Sequence, residues 1–310
     1  MKLDLVMWAK NGAKYLPLTL KRIDAVIPHE VIGDKIFVDD HSVDNSVEIA
    51  KDFGWKVFIN EKGGIGEGAN LAFSKVKTEF FCSFEQDLLL TDCWFEKIFK
   101  YLEQPNVAIA QGWRLSTHPT LRKFEEFGLE WFGGEKLCSL DNNIYRTEII
   151  RRLGGFPRNV RYHVDAVLKS RILKAGLKWI TDTSVISEHL KPMTIFEYAK
   201  RHYYEFSKEI PTLLEDGILV EDEIRKLKPF FQAVKLMFSP AIGLGLTLWK
   251  KEPTLLVYYP LIRIMKWKGY VEGKKIINER KSLFSQPSTD GHLHMGLSRK
   301  PLTMMYLCSV

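Results

Sequence analysis

The stretch Phe80-Phe81-Cys82-Ser83-Phe84-Glu85-Gln86-Asp87 is a short, almost unbroken apolar run that ends abruptly in two acids. Such a run reads as a strand buried on both faces, and its polar end marks where the chain leaves the core. The same pattern recurs upstream. Residues 3–8, 35–38 and 55–59 read as strands, and they end in Lys10-Asn11, Asp39-Asp40 and Asn60. Between them lie helical segments. Residues 13–27 have helical spacing at Leu16, Leu18, Leu20, Ile23 and Val26, a helix is expected from Ser42 or Asp44 through Phe53, and another near residues 69–76. Strands alternating with helices of this length imply a mostly parallel α/β sheet with helices on both faces. Ligands of such sheets bind beyond the carboxyl ends of the strands, so these four polar clusters are expected to share one crevice.

The residue types at those ends suggest chemistry. Asp39 and Asp40 can accept hydrogen bonds from a nucleobase N–H or a ribose hydroxyl. Two readings stand for Asp44: the same binding role, or capping of the helix that follows. Glu85 and Asp87, one residue apart, can hold a hard divalent cation such as Mg²⁺ or Mn²⁺, which prefers oxygen ligands. The run Gly63 to Gly68 reads as a turn that could cradle phosphate. Its glycines have the wrong register and follow the wrong strand for a dinucleotide fingerprint, and no Gly-Lys-Ser/Thr follows for a P-loop. Asp165 begins a helical stretch through Ala175, where it could serve as a general base or only as an N-cap. His189, at the end of the strand-like pieces 179–180 and 185–186, is a metal-ligand candidate or a structural histidine. Asp92 is expected to cap a helix reaching Leu102, a strand is expected near residues 107–111, and residues 114–140 resist assignment.

Composition bounds the rest. The chain has 310 residues and a mass of 35.9 kDa, is 45% hydrophobic and 27% charged, and so has ample material for a core. Cys82, Cys93, Cys138 and Cys308 are scattered, which excludes a disulfide framework or zinc ribbon. The net charge of +7 is uneven: residues 1–223 sum to −4 and residues 224–281 to +10. A basic segment this local does not call for nucleic acid. It is interleaved with apolar and aromatic groups, as in Trp249-Lys250-Lys251 and Arg263-Ile264-Met265-Lys266-Trp267-Lys268. Its uncharged runs, residues 236–249 and 253–262, fall short of the roughly 20 residues that span a bilayer. Peripheral contact with a membrane surface is therefore expected through residues 224–281, against the alternative of a helical subdomain packed on the sheet. No secretory pattern opens the sequence, and the expected location is cytoplasmic, at the inner face of the membrane.

Taken in order, these pieces resemble family 2 glycosyltransferases of the GT-A fold. Val6-Met7-Trp8-Ala9-Lys10-Asn11 looks like the family's first strand, and Asp39-Asp40-His41-Ser42-Val43-Asp44 is similar to its nucleoside-holding D-D-x-S-x-D. Asn60 and Gly64 to Asn70 resemble N-x-G…A-R-N, and Glu85-Gln86-Asp87 lies where the metal-binding D-x-D belongs. Asn143 to Arg146, Gly154-Gly155-Phe156, Asp165 to Arg171, Gly176 and His189 match later elements. Glu85, Val164 and Ala69 depart from the usual Asp, Glu and Arg. The resemblance implies an inverting transfer from a nucleotide-diphosphate sugar to an acceptor hydroxyl, the acceptor being lipid-linked or part of a glycan. Lys10, Asn11, Asp39, Asp40, Asp44, Asn70 and Glu85 would bind the donor. Asp87, Glu85 and His189 would hold the metal, and Asp165 would be the base. Rival readings are a nucleotidyltransferase on a similar sheet and a non-catalytic, membrane-bound nucleotide-sugar binder. The implied domains are residues 1–190, catalytic; 191–281, helical and basic; and 282–310, a poorly ordered tail.

Overall fold

The computed structural model describes residues 2–134, 137–158, 160, 163–190, 194–209 and 229–284. An eight-stranded mixed sheet forms its centre, in the order β3-β2-β1-β4-β7-β6-β8-β5. The strands are β1 (Leu3–Ala9), β2 (Ile32–Asp39), β3 (Lys56–Ile59), β4 (Phe80–Phe84), β5 (Leu88–Leu89), β6 (Val107–Ser116), β7 (Asn143–Arg146) and β8 (Lys178–His189). The first four run parallel, β7 is antiparallel to both β4 and β6, and β6 and β8 are parallel again.

Burial explains the central strands. In β1, Leu3, Leu5 and Met7 face one core with Phe37, Cys82 and Phe84, while Val6 joins Ile36, Val38 and Phe81 in the other. This is the period-two alternation of a strand covered on both faces. Helix α1 (Leu16–Val26) covers the first face through Leu16, Leu20 and Ile23. Helix α2 (Ser46–Asp52) stands between β2 and β3 in the chain and contributes Ala50 to that same core. Helix α3 (Ile65–Lys75) covers the second face through Ala69 and Ala72.

Helix α3 starts four residues earlier than expected and absorbs most of the glycine-rich run. Only Gly63 and Gly64 adopt positive φ. Gly66 and Gly68 lie inside the helix, where a Cβ on Gly66 would run into the Pro157 carbonyl and one on Gly68 would sit 3.2 Å from the Trp8 Cβ. Close packing requires glycine at 66 and leaves little room for a side chain at 68, which also lines the cleft at the strand ends.

Helix α4 (Trp94–Phe99) is shorter than expected and continues as a 3₁₀ turn, Lys100–Glu103. Asp92 does not cap it but pairs with Arg22 at 2.6 Å. The unassigned region contains the last three residues of β6 and helix α5 (Pro119–Phe132), which ends at Gly133 with φ 67°. Short α6 (Thr147–Arg152) and α7 (Val164–Lys174) follow, and the two strand pieces join into the twelve residues of β8.

Helix α8 (Ile195–Tyr204) has a full capping box between Thr194 and Glu197 and runs into a π-helical turn, Glu205–Glu209. Helices α9 (Pro229–Met237), α10 (Ser239–Lys250) and α11 (Leu255–Phe284) are the last of the described residues. Leu121 of α5, Ala199 of α8, Leu246 of α10 and Tyr258 and Ile262 of α11 share a third core. Helix α5 thus packs with the helical region although it lies before residue 190. Residues 285–310, most of the expected tail, lie outside the described residues.

Candidate active site

The strand ends open onto a cleft of about 470 Å³, a volume typical of a small-molecule site. On one side lie Lys10, Asp40, Asn60 and Gly64. Asp40 Oδ1 accepts from the Asn60 side-chain amide (2.7 Å) and from the Gly64 backbone N–H (2.9 Å), which ties β2 to the turn before α3. Gln86, the middle residue of the acidic triplet, clasps the Lys10 backbone at both its N–H (3.0 Å) and its carbonyl (3.1 Å). It thereby locks the end of β4 to the end of β1.

The floor gathers Glu85, Asp87 and His189. His189 Nε2 lies 3.1 Å from Glu85 Oε2 and 3.2 Å from Asp87 Oδ1. The antiparallel β5–β8 pairing sets Leu88 against His189 and so brings the histidine beside Asp87 across 102 residues of chain. Burial and the nearby Arg114 guanidinium disfavour a charged His189. The hydrogen bonds to Asp87 and Glu85 outweigh them and hold the imidazole above its ordinary value. Two carboxylate oxygens and one imidazole nitrogen, all within 4.8 Å of one another, fit a divalent cation. Beneath them Arg114 of β6 makes a 2.5 Å ion pair with fully buried Asp141 and lies 3.9 Å from Glu85.

Asp165, in the first turn of α7, faces the same cleft. It is not the cap: His163 occupies that position, and Asp165 Oδ1 accepts from the Ala166 backbone N–H at 2.8 Å. Burial pushes its carboxyl up to about 6, against that hydrogen bond and the positive fields of His163, Arg114 and Arg201.

Four residues expected to touch a donor, Asn11, Asp39, Asp44 and Asn70, are not among those that line the cleft. Asn11, with φ 52°, donates its backbone N–H to Ser42 Oγ and accepts from the Val43 N–H. Asp44 accepts from the backbone N–H groups of Ala13 and Ser46 and from the Ser46 hydroxyl, just before α2, where Asn45 and not Asp44 occupies the cap position. These bonds, outweighing the opposing effect of burial, keep its carboxyl below the ordinary value. Asp39 is buried. Its Oδ2 accepts from the Ser42 N–H, while its Oδ1 has no partner among the described residues.

Asn70 donates to the carbonyls of Gly66 (2.8 Å) and Phe156 (2.7 Å) and accepts from the Phe156 N–H (3.0 Å). It pins the Gly154-Gly155-Phe156 turn to α3, and a Cβ on Gly155 would sit 2.5 Å from its oxygen. Asn70→Leu is expected to lose about 2–4 kcal/mol of stability through the orphaned backbone groups, read as a lower urea midpoint.

The cleft also has walls that sequence reasoning missed. Arg114 lay in the unassigned region. Tyr198, Arg201 and Glu205 come from α8 and the π-turn, beyond any recognised motif. No local pattern announces them.

A mixed sheet with parallel strands ending in an Asp-Asp element, an acid–imidazole trio and a recessed carboxylate defines a glycosyltransferase of the GT-A type. The model for glycosyl transferase family 2 matches residues 4–173, more than half of the chain, and the chain belongs to that family. Among solved structures it is similar to the mannosyltransferase PcManGT of Pyrobaculum calidifontis, described in complex with GDP-Man and Mn²⁺. The TM-score is 0.59 at 16% identity, over 86% of each chain. It is also similar to residues 1–349 of TarS from S. aureus, with a TM-score of 0.53 at 16% identity, over 91% of this chain and 92% of that one. A further TarS structure is described with UDP-GlcNAc and gives a TM-score of 0.52. No curated protein sequence matches the chain.

Proposed function

We propose that this glycosyltransferase moves a sugar from a nucleotide-diphosphate donor to an acceptor hydroxyl with inversion, and that it needs a divalent metal. The observation that carries the reading is a carboxylate of raised pKa, Asp165, facing one cleft with Glu85, Asp87 and His189. Family membership and the nucleotide-sugar complexes of structurally similar enzymes support the donor class. Asp40 and Lys10 would bind the donor directly, with Asp39 recessed behind them. Asn11, Asp44 and Asn70 would act by holding the loops that carry those residues.

In the transfer, Asp165 takes the proton of the acceptor hydroxyl as its oxygen attacks the anomeric carbon. The bond from that carbon to the diphosphate breaks on the opposite face, and the nucleoside diphosphate leaves with the bonding pair. Glu85, Asp87 and His189 would hold Mg²⁺ or Mn²⁺, and a cation bound there offsets the charge growing on the diphosphate. The test is a thermal-shift panel of UDP, GDP, UDP-GlcNAc and GDP-Man with and without Mn²⁺. A Tm rise for one base that depends on Mn²⁺ is expected. No shift with any of them would defeat the donor assignment.

A second reading concerns the surface of the helical region. Phe230 and Leu248, each 71% exposed, and Met237, 66% exposed, project from α9 and α10, and Lys251 and Lys268 of the same helical region are exposed too. No single helix among the described residues is long and apolar enough to cross a membrane. One pair bent by 55°, Pro229–Met237 with Ser239–Lys250, passes by length and composition. We propose that this face rests on an anionic bilayer, with apolar side chains in the headgroup boundary and lysines on the phosphates. Flotation with vesicles of one-third phosphatidylglycerol is expected to carry the protein upward at low salt, and Leu248→Glu to leave it at the bottom. Wild type at the bottom would end this reading.

A further inference from the structure

The cleft has one wall that the family-matched residues do not build. Residues 4–173 supply Asp40, Asp165 and most of the floor, β8 adds His189, and α8 with the π-turn adds Tyr198, Arg201 and Glu205. Arg201 Nε lies 3.2 Å from Glu205 Oε1, and the other carboxylate oxygen, Oε2, lies 2.9 Å from His202 Nδ1. Tyr198 is braced from behind by His202, edge-on at 5.5 Å between ring centres, and by Tyr258 at 6.5 Å. We propose that Tyr198, Arg201 and Glu205 form the acceptor subsite, and that it takes a neutral, hydroxyl-rich sugar. The proposal rests on the donor and base assignments above.

Position comes first. Arg201 is close enough to Asp165 for its charge to favour the ionised carboxylate, so this wall borders the base that must reach the acceptor hydroxyl. The strand-end side holds the groups assigned to the donor, which leaves the α8 side for the second substrate.

Chemistry then selects the class. A guanidinium held against a carboxylate offers donors and an acceptor side by side, the pattern that adjacent sugar hydroxyls satisfy. A phosphate at Arg201 would meet the Glu205 carboxylate that the guanidinium already engages, with the Asp165 carboxylate in the same cleft. Burial opposes a charge on Glu205, but the hydrogen bond from His202 and the charge of Arg201 hold its carboxyl below the ordinary value, so it stays ionised, while His202, which burial pushes down to about 4, is a neutral donor at pH 7. The Tyr198 ring supplies an apolar face for the C–H side of a sugar, since aromatic faces attract electropositive edges.

The backbone holding Glu205 is itself unusual. A π-turn directly extends α8, and such turns are frequent at functional sites. Helix α11 presses on it at Gly269, where a Cβ would lie 2.5 Å from the Tyr203 carbonyl oxygen and 2.9 Å from the Phe206 Cβ. Gly269 is thus a positioning residue for Glu205.

The test titrates p-nitrophenyl glycosides, and the matching sugar 6-phosphates, into protein saturated with Mn²⁺ and UDP or GDP, whichever binds. A neutral glycoside is expected to bind, and its 6-phosphate to bind at least about ten-fold more weakly. Glu205→Gln and Tyr198→Ala are expected to weaken the glycoside about ten-fold or more and leave the nucleotide Kd unchanged. Gly269→Ala, outside the cleft, should weaken the glycoside in the same direction with the nucleotide again unaffected. Tighter binding of the phosphates would overturn the proposal, as would nucleotide bound but no glycoside. Equal loss of nucleotide and glycoside in the variants would assign the wall to the donor. A protein that binds no nucleoside diphosphate fails earlier, at the donor assignment, and takes this proposal with it.

Discussion

Asp165→Asn is expected to cut turnover by about 10²–10⁴-fold while changing the Kd for nucleoside diphosphate and Mn²⁺ by less than about two-fold. The amide keeps the shape and the bond from the Ala166 N–H but cannot take a proton. The same change is expected to stabilise the fold. Burial raises this carboxyl from 3.8 to about 6, so the folded state binds the proton more tightly than the unfolded chain does. The resulting penalty is absent below the ordinary value, grows as pH rises between the two, and is complete above about 6. At pH 7.5 it amounts to about 3 kcal/mol at most, and Asn removes it, for a Tm gain of several degrees. A matching acid limb is expected in the wild-type rate, with activity lost as pH falls through about 6. Two measurements decide the matter: sugar-nucleotide turnover from pH 4.5 to 8.5, and thermal unfolding of both proteins at pH 7.5. Lost activity together with a lower Tm would make Asp165 a structural residue.

The pairing of lost activity with gained stability separates a base from a mere helix-start residue, the ambiguity that the sequence left open. Sequence patterns resolve what is local. The strand β4 and its acidic end follow from four apolar residues running into Glu85-Gln86-Asp87, and the parallel half of the sheet follows from the spacing of its neighbours. What depends on distant packing was hidden. Gly66 and Gly68 look like a phosphate turn in one dimension, and only the approach of Pro157 and Trp8 reveals why glycine sits inside a helix. Asn70 and Asp44 carry the right chemistry for ligand binding, yet spend it on backbone groups brought in by tertiary contact. Arg114 pairs with Asp141 across 27 residues, in the part of β6 that runs past the strand expected near residues 107–111. Helix α8 is amphipathic by pattern, but that Arg201 and Glu205 face the cleft depends on how α11 packs against the π-turn.

Asp87→Ala is expected to abolish metal-dependent activity, with a loss of about 10³-fold, and to remove the Tm rise that Mn²⁺ gives the wild type. Chelation of the wild type should reach the same floor, and chelating the variant should do nothing more. The three ligand candidates should not weigh equally. Asp87 immediately precedes β5, its carbonyl accepts from the Leu190 N–H at 2.8 Å, and its side chain is 14% exposed. It is therefore held in place before any cation arrives. Glu85 is 40% exposed, has a longer arm and is shared with Arg114, so Glu85→Ala should cost less than Asp87→Ala. Glu85→Asp shortens the arm to the length usual in the family, and it should retain more activity than Glu85→Ala because a carboxylate oxygen still faces His189. The reverse order, with Glu85 indispensable and Asp87 replaceable, would mean that the cation sits nearer Arg114 than the β5–β8 pairing implies. Full activity of Asp87→Ala in the presence of a chelator would remove the metal from the reaction altogether. In that case Arg114, the cation already buried beneath the trio, becomes the group left to meet the charge of the leaving diphosphate. Burial works against that charge, but Asp141 and Glu85 keep the guanidinium protonated, so it is charged at any pH where the fold survives.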